Sequence, residues 1–194
     1  MTKCDVVDEE MLELAKMDVE ETVAGTFLEH APVVCTAVGD PPIGLETLQH
    51  HLAELMTVDR SDQDWFRLPI DRAFVQRGFG TVVTGTARGQ PLTDGSPVWI
   101  QPLGIASRVR GIQVHGEAVQ QARAGQRTAV NLAGIERDDL ARGMVVLSNP
   151  NIEAASILDT QTRMLGTAVG LPSGARLRLL VGTAEVLAIA EVLD

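Results

Sequence analysis

Gly78-Phe79-Gly80-Thr81-Val82-Val83-Thr84-Gly85-Thr86 is the stretch that decides the fold. It opens like a G-x-G dinucleotide fingerprint, but a β-rich run follows where that motif needs a helix. The spacing to Gly85 is also too long, so Gly78–Gly80 reads as a hairpin turn. Working outward, short β-rich runs recur at Phe66–Ile70, Thr81–Thr84, Val98–Ile100, Val109–Val114, Thr128–Leu132 and Met144–Leu147. Turn signals separate them at Gly78/Gly80, Arg88-Gly89, Asp94-Gly95, Gly104, Gly116 and Gly125. Short strands at such spacing predict a small antiparallel barrel or sandwich over residues 65–150.

Upstream the pattern is different. Asp8 is placed to cap a helix, with Glu9 and Glu10 favoured in its first turn. Met11, Ala15, Val19, Val23 and Phe27 recur every four residues, a helical spacing that Ala31-Pro32 ends. Val33–Thr36 reads as a short buried strand and Gly39-Asp40-Pro41-Pro42 as a loop. Leu45, Leu48, Leu52 and Leu55 mark one face of a second helix. Residues 1–55 therefore read as an α/β remnant, the end of a doubly wound domain, and polar residues 56–64 as a linker. Downstream, Leu177–Val181 and Val186–Val192 read as strands joined at Gly182-Thr183, so 151–194 begin a second, partial β-barrel. A barrel cut there would expose a strand edge, and the chain reads as truncated at both ends.

The 194 residues carry a formal net charge of −10, unevenly spread. Residues 1–64 hold 15 acids and 3 bases, 65–150 hold 6 and 10, and 151–194 hold 5 and 3. The middle segment is thus basic, through arginine alone. An anionic partner belongs there, because the planar guanidinium suits carboxylates and phosphates. Aromatics are 3% and there is no Tyr, so the core must come from Val, Leu, Ile and Ala. Cys4 and Cys35 form no CxxC pair and read as reduced, partly buried thiols. His30, His50, His51 and His115 show no metal-ligand spacing, and no metal site is expected. No apolar run reaches the ~18 residues of a membrane span, and no signal peptide opens the chain. A cytoplasmic protein without a membrane partner is expected.

Thr2-Lys3-Cys4-Asp5 resembles the guanine-specificity motif of GTPases, usually Asn-Lys-x-Asp. There an Asp carboxylate accepts two N–H groups from one guanine edge while the Lys stem packs on the base. Thr36-Ala37-Val38, 31 residues beyond Asp5, resembles the Ser-Ala-Lys motif that closes over guanine through its backbone. Thr2 and Val38 depart from those patterns. The sequence contains no G-x-x-x-x-G-K-[ST] to cradle phosphates, and no switch segments or Mg²⁺ ligands of a phosphoryl-transfer site. No catalytic residue is assigned. The chain alone is expected neither to hydrolyse GTP nor to bind it tightly.

Asp71-Arg72-Ala73-Phe74, the Gly78–Thr86 stretch, Val109-Arg110-Gly111-Ile112-Gln113-Val114-His115-Gly116, Ala124–Gly134 and Arg142-Gly143 follow one another in an order and spacing similar to domain 2 of a translational GTPase. The Gly-Phe-Gly-Thr-Val-Val-Thr-Gly-Thr and Ile-Gln-Val-His-Gly forms resemble the selenocysteine-specific translation elongation factors more than elongation factor Tu. The resemblance reaches back through the guanine motifs and forward to Gly182-Thr183-Ala184-Glu185-Val186. It implies a GTP-binding segment over 1–55, completed by a P-loop segment upstream, with GTP and Mg²⁺ as the whole factor's cofactors. It implies selenocysteyl-tRNA and the ribosome as partners. It also implies a charged aminoacyl pocket at Asp71, Arg72 and Arg127, suited to a selenolate and not to a neutral seryl group. Arg88, Arg108 and Arg110 are further candidates for tRNA phosphate. The competing readings are a piece of another translational GTPase such as elongation factor Tu, a stand-alone β-barrel interaction module, and an enzyme subunit completed by a separate P-loop polypeptide.

Overall fold

The computed structural model describes residues 1–55, 65–165, 168 and 170–193, and the chain divides into two units. The linker expected over 56–64 lies outside the described residues. In the first unit, helix α1 spans Glu9–Val23 and helix α2 spans Leu45–Leu55. The Asp8 side chain caps α1 by accepting from the Met11 N–H at 2.9 Å, satisfying one of the orphan donors of the first turn. The helix ends earlier than the apolar repeat predicts. Ala24 turns extended, Gly25 takes φ +71°, and the Thr26 hydroxyl donates to the Val23 carbonyl at 2.6 Å. Phe27 therefore lies beyond the helix and is 94% exposed. Val33–Thr36 forms no strand. Among the described residues only one parallel bridge, Thr2 to Thr36, meets it, and an apolar run becomes a strand only where a neighbour supplies a hydrogen-bond ladder.

The second unit is built on a curled sheet. In chain order its strands are β1 (Arg67–Pro69), β2 (Arg72–Gln76), β3 (Gly80–Thr86), β4 (Leu92–Thr93), β5 (Pro97–Gln101), β6 (Ile105–Val114), β7 (Glu117–Val119), β8 (Gln121–Ala122), β9 (Arg127–Leu132) and β10 (Val145–Leu147). The main sheet runs β1-β10-β5-β6-β9-β3-β2, with β7 on β6, and β4 pairs with β8 apart from it. Every pairing is antiparallel. Val83, Val98, Ile100, Val109, Ile112, Val130 and Val146 point inward and pack with Phe66, Leu68, Ile70 and Leu92, all at most 2% exposed. Aliphatic side chains fill this core, as the near-absence of aromatics requires.

Gly85 lets the sheet curl. A Cβ there would run into the Pro69 carbonyl oxygen and press on the Leu68 side chain at 3.0 Å. Only glycine lets β1 lie against β3, and Arg67 and Arg88 then exchange backbone hydrogen bonds of 3.0 and 2.9 Å. The turn at Gly78–Gly80 is the expected hairpin: Gln76 faces Gly80, and both glycines have positive φ. Strand β2 was not anticipated from the sequence. It is a sheet edge with Phe74 and Val75 40% and 66% exposed, so it lacks the buried alternate face that marks a strand.

Beyond the barrel, β11 (Arg176–Val181) and β12 (Ala184–Ile189) form one hairpin turning at Gly182-Thr183. Its tip seats on the barrel. The Thr183 hydroxyl donates to the Ile70 carbonyl at 2.7 Å, and Arg142 Nε donates to the Thr183 carbonyl at 3.2 Å.

Candidate functional site

Register brings the charged candidates onto one face. Arg72 stands opposite Thr84, Thr84 opposite Ala129, and Thr86 opposite Arg127. Residues directly opposite share a face, and Val83 points into the core, so Arg72, Thr84, Thr86 and Arg127 all point outward. Asp71 immediately precedes β2. Its carboxylate receives both terminal nitrogens of the Arg127 guanidinium, Nη1 on Oδ2 and Nη2 on Oδ1, the second at 3.1 Å. The Thr84 hydroxyl adds a third donor on Oδ1 at 2.7 Å. The Asp71 side chain is 18% exposed and that of Arg127 53%. The carboxylate is thus walled in while the guanidinium faces solvent. A planar fork held on both prongs has lost most of its rotational freedom before any ligand arrives.

Arg72 is exposed and has no ion-pair partner among the described residues. This face thus carries two guanidiniums and one carboxylate, which pairs with Arg127 alone, and the balance is positive. With Asp71 and Phe74, Arg72 also lines an open cleft of about 470 Å³, which Arg137 and Arg142 line as well. Arg137 is engaged there: Nε donates to the Ala73 carbonyl at 3.3 Å and Nη1 pairs with Asp138 at 3.2 Å.

Further along the same outward face lies a cavity of about 330 Å³. Phe79, Val82, Ala118 and Val119 give it apolar walls, and Gln113, Asn131 and Arg110 give it polar ones. Asn131 is 7% exposed; its Nδ2 donates to the Phe79 carbonyl at 2.8 Å, while its Oδ1 is buried without a partner. An orphaned buried acceptor beside a cavity is a place for a ligand donor. Arg88, Arg108 and Arg110 are all exposed, and Arg110 borders this cavity.

A selenocysteine-specific elongation factor of Desulfomicrobium baculatum is 41% identical to this chain over 197 aligned positions, covering 100% of the chain and 31% of the relative. The chain belongs to the family of selenocysteine-specific elongation factors. The Escherichia coli K12 factor of the same name is 33% identical over 165 positions, 84% of the chain and 27% of that relative. A crystal structure of a bacterial selenocysteine-specific elongation factor superposes with a TM-score of 0.79 at 28% identity, covering all of this chain and 32% of that one. The Methanococcus maripaludis factor SelB, in complex with the GTP analogue GppNHp, shares the fold with a TM-score of 0.75 at 23% identity over 97% of this chain and 43% of that one. No protein-family model matches the chain. The chain spans about a third of the curated relatives' length.

The two stretches of this selenocysteine-factor segment that resemble guanine motifs lie in the first unit, and the structure brings them together. Thr36 N–H donates to the Met1 carbonyl at 2.8 Å, and Cys4 N–H donates to the Thr36 carbonyl at 3.2 Å. Lys3 takes φ +59°, unusual for a side chain of its size. Lys3 and Asp5 are exposed, while Ala37 is 2% exposed and forms a bridge to Ile43. Cys4 is buried and Cys35 half-buried, both as free thiols. Among the described residues no group of three or more His, Cys, Asp or Glu could hold a metal ion, and no helix is long and apolar enough to cross a membrane.

The sequence reading gave no site role to Thr84, Asn131, Arg137 or Arg142. Thr84 becomes visible only through register. Asn131 leaves a local trace, a lone amide in the apolar run Thr128–Leu132.

Proposed function

We propose that this chain forms the tRNA-facing barrel and the end of the GTP-binding domain of a factor that delivers selenocysteyl-tRNA to the ribosome. The observation that carries the reading is the outward pair of guanidiniums, Arg127 locked on Asp71 and Arg72 free beside it. A selenol is largely ionised at neutral pH and a serine hydroxyl is not. A selenolate entering this face meets donors already aimed, so the Arg127 fork needs little further ordering. A seryl group gains little there and leaves charge poorly paired. The neighbouring cavity supports the same orientation, since its volume, its apolar walls and its side-chain amides suit one flat nucleobase at the end of the tRNA.

Thr2, Lys3, Asp5, Thr36 and Ala37 would hold the guanine end of GTP only. The sequence offers no phosphate-binding loop and no Mg²⁺ ligands, so phosphate binding and hydrolysis are assigned to a further segment of the factor. Delivery of the tRNA would take place in the cytoplasm.

The test is a comparison of Arg72→Ala and Arg127→Ala in the full-length factor. Each is expected to reduce discrimination between selenocysteyl- and seryl-tRNA by about tenfold or more, equivalent to about 1.4 kcal/mol. An unchanged ratio in both would overturn the assignment.

A further inference from the structure

Thr183 lies 113 residues from Ile70, at the tip of the β11–β12 hairpin, yet it bonds both Ile70, the residue before Asp71, and Arg142, which lines the arginine-lined cleft. Its hydroxyl donates to the Ile70 carbonyl at 2.7 Å. That carbonyl also accepts from Gly143 N–H at 3.0 Å, and Ile70 N–H donates to the Met144 carbonyl at 2.7 Å. The Ile70 side chain is fully buried. The peptide entering Asp71 is therefore pinned by the barrel on one side and by the hairpin on the other. Asp71 continues the connection: its N–H donates to the Thr84 carbonyl at 2.9 Å and its carboxylate holds Arg127.

The same residue also holds Arg142. The Thr183 carbonyl accepts from Arg142 Nε at 3.2 Å, and Arg142 lines the cleft that Asp71 and Arg72 line. The contact is built to close tolerance. A Cβ at Gly143, which has φ +96°, would lie 3.0 Å from Ala184 Cα and Cβ, and one at Gly182, with φ +61°, would meet Pro69 carbons at 3.4 and 3.5 Å.

We propose that Thr183 is a positioning residue: it fixes the Ile70–Asp71 peptide and the Arg142 guanidinium together, and so sets the geometry of the Asp71–Arg127 pair from the neighbouring hairpin. The inference rests on the selenocysteyl reading of that pocket for its functional meaning, but its geometric content is independent of tRNA. A shift of the hairpin against the barrel would be felt first at Asp71, which gives the downstream β unit a direct line to the aminoacyl pocket.

The test is hydrogen exchange by nuclear magnetic resonance on this chain and on its Thr183→Val and Thr183→Ser variants. Thr183→Val keeps the shape and removes the donor, and Thr183→Ser keeps the donor. In Thr183→Val the Asp71 amide and the Arg127 guanidinium N–H groups are expected to exchange about fivefold or more faster, with the Val130 amide in the core unchanged. Thr183→Ser should return both to the wild-type rate. Three results overturn the proposal: unchanged rates at Asp71 and Arg127, rates that rise in step with Val130, or a Thr183→Val chain that fails to fold while Thr183→Ser folds. The exchange rates involve no tRNA, so they can fail while the discrimination test on Arg72 and Arg127 succeeds, and the reverse.

Discussion

Arg72 and Arg127 point outward from strands on either side of β3, two residues apart along it, and among the described residues only Arg127 of the two is held by a carboxylate. One guanidinium is fixed and one is free. That asymmetry separates their expected contributions to stability from their expected contributions to recognition.

Arg72→Ala should leave the fold alone. The side chain is exposed and makes no ion pair among the described residues, so unfolding free energy by urea titration is expected to stay within about 0.5 kcal/mol of wild type. Discrimination against seryl-tRNA should nevertheless fall. A large stability loss would show that Arg72 is structural and would remove it from the recognition argument.

Asp71→Ala should destabilise more than Asp71→Asn. The carboxylate accepts from Arg127 twice and from Thr84 once. Alanine strands all three donors, whereas asparagine keeps one acceptor oxygen. Because Arg127 is half in solvent, the full value of a charged hydrogen bond does not apply. The expected losses are about 1–2 kcal/mol for alanine and roughly half that for asparagine. Equal losses in urea titrations of the two variants would mean that the Thr84 bond contributes nothing.

The barrel and this pair differ in how far they were legible beforehand. The hairpin at Gly78–Gly80 follows from glycines at positions needing positive φ, a property local to the chain. Strand β2 escaped because an edge strand with both faces partly wet has no alternation to read. Strand β6 begins at Ile105 rather than near Val109 because residues 105–108 pair with β5, and a bulge between Val109 and Gly111 breaks the alternation that would have marked one continuous strand. Asp71, Arg72 and Arg127 were legible through resemblance to the family. Thr84 and the Thr183 contact were not, because pairing across strands and across 113 residues leaves no mark in local sequence. Val33–Thr36 and Phe27 show the reverse: Val33–Thr36 meets a single bridge and no ladder among the described residues, and Phe27 lies exposed beyond its helix.

Gly85→Ala and Gly78→Ala should separate close packing from backbone strain. Gly78 has φ +84° and open space around its Cβ position, so alanine there costs about 1–2 kcal/mol of conformational strain. At Gly85 the backbone is ordinary, but the added carbon meets the Pro69 carbonyl. The sheet must then uncurl or shift, at a cost of about 3 kcal/mol or more. Thermal unfolding of the two variants gives the comparison, and a smaller loss for Gly85→Ala would mean that β1 can move away from β3 freely.

The outward arginines should make tRNA binding steep in salt. If Arg88, Arg108 and Arg110 meet phosphates, each neutralised charge releases counterions, and the slope of log K against log salt falls by about 0.7–0.9 for each arginine removed. Replacing all three by alanine in the full-length factor is therefore expected to flatten the slope by about 2–3, for selenocysteyl- and seryl-tRNA alike. The two effects then divide cleanly. Phosphate arginines change affinity and salt slope without touching the selenocysteyl-to-seryl ratio, while Arg72 and Arg127 change the ratio. A triple variant that kept its slope but lost discrimination would place these three arginines at the aminoacyl group instead of along the phosphate backbone.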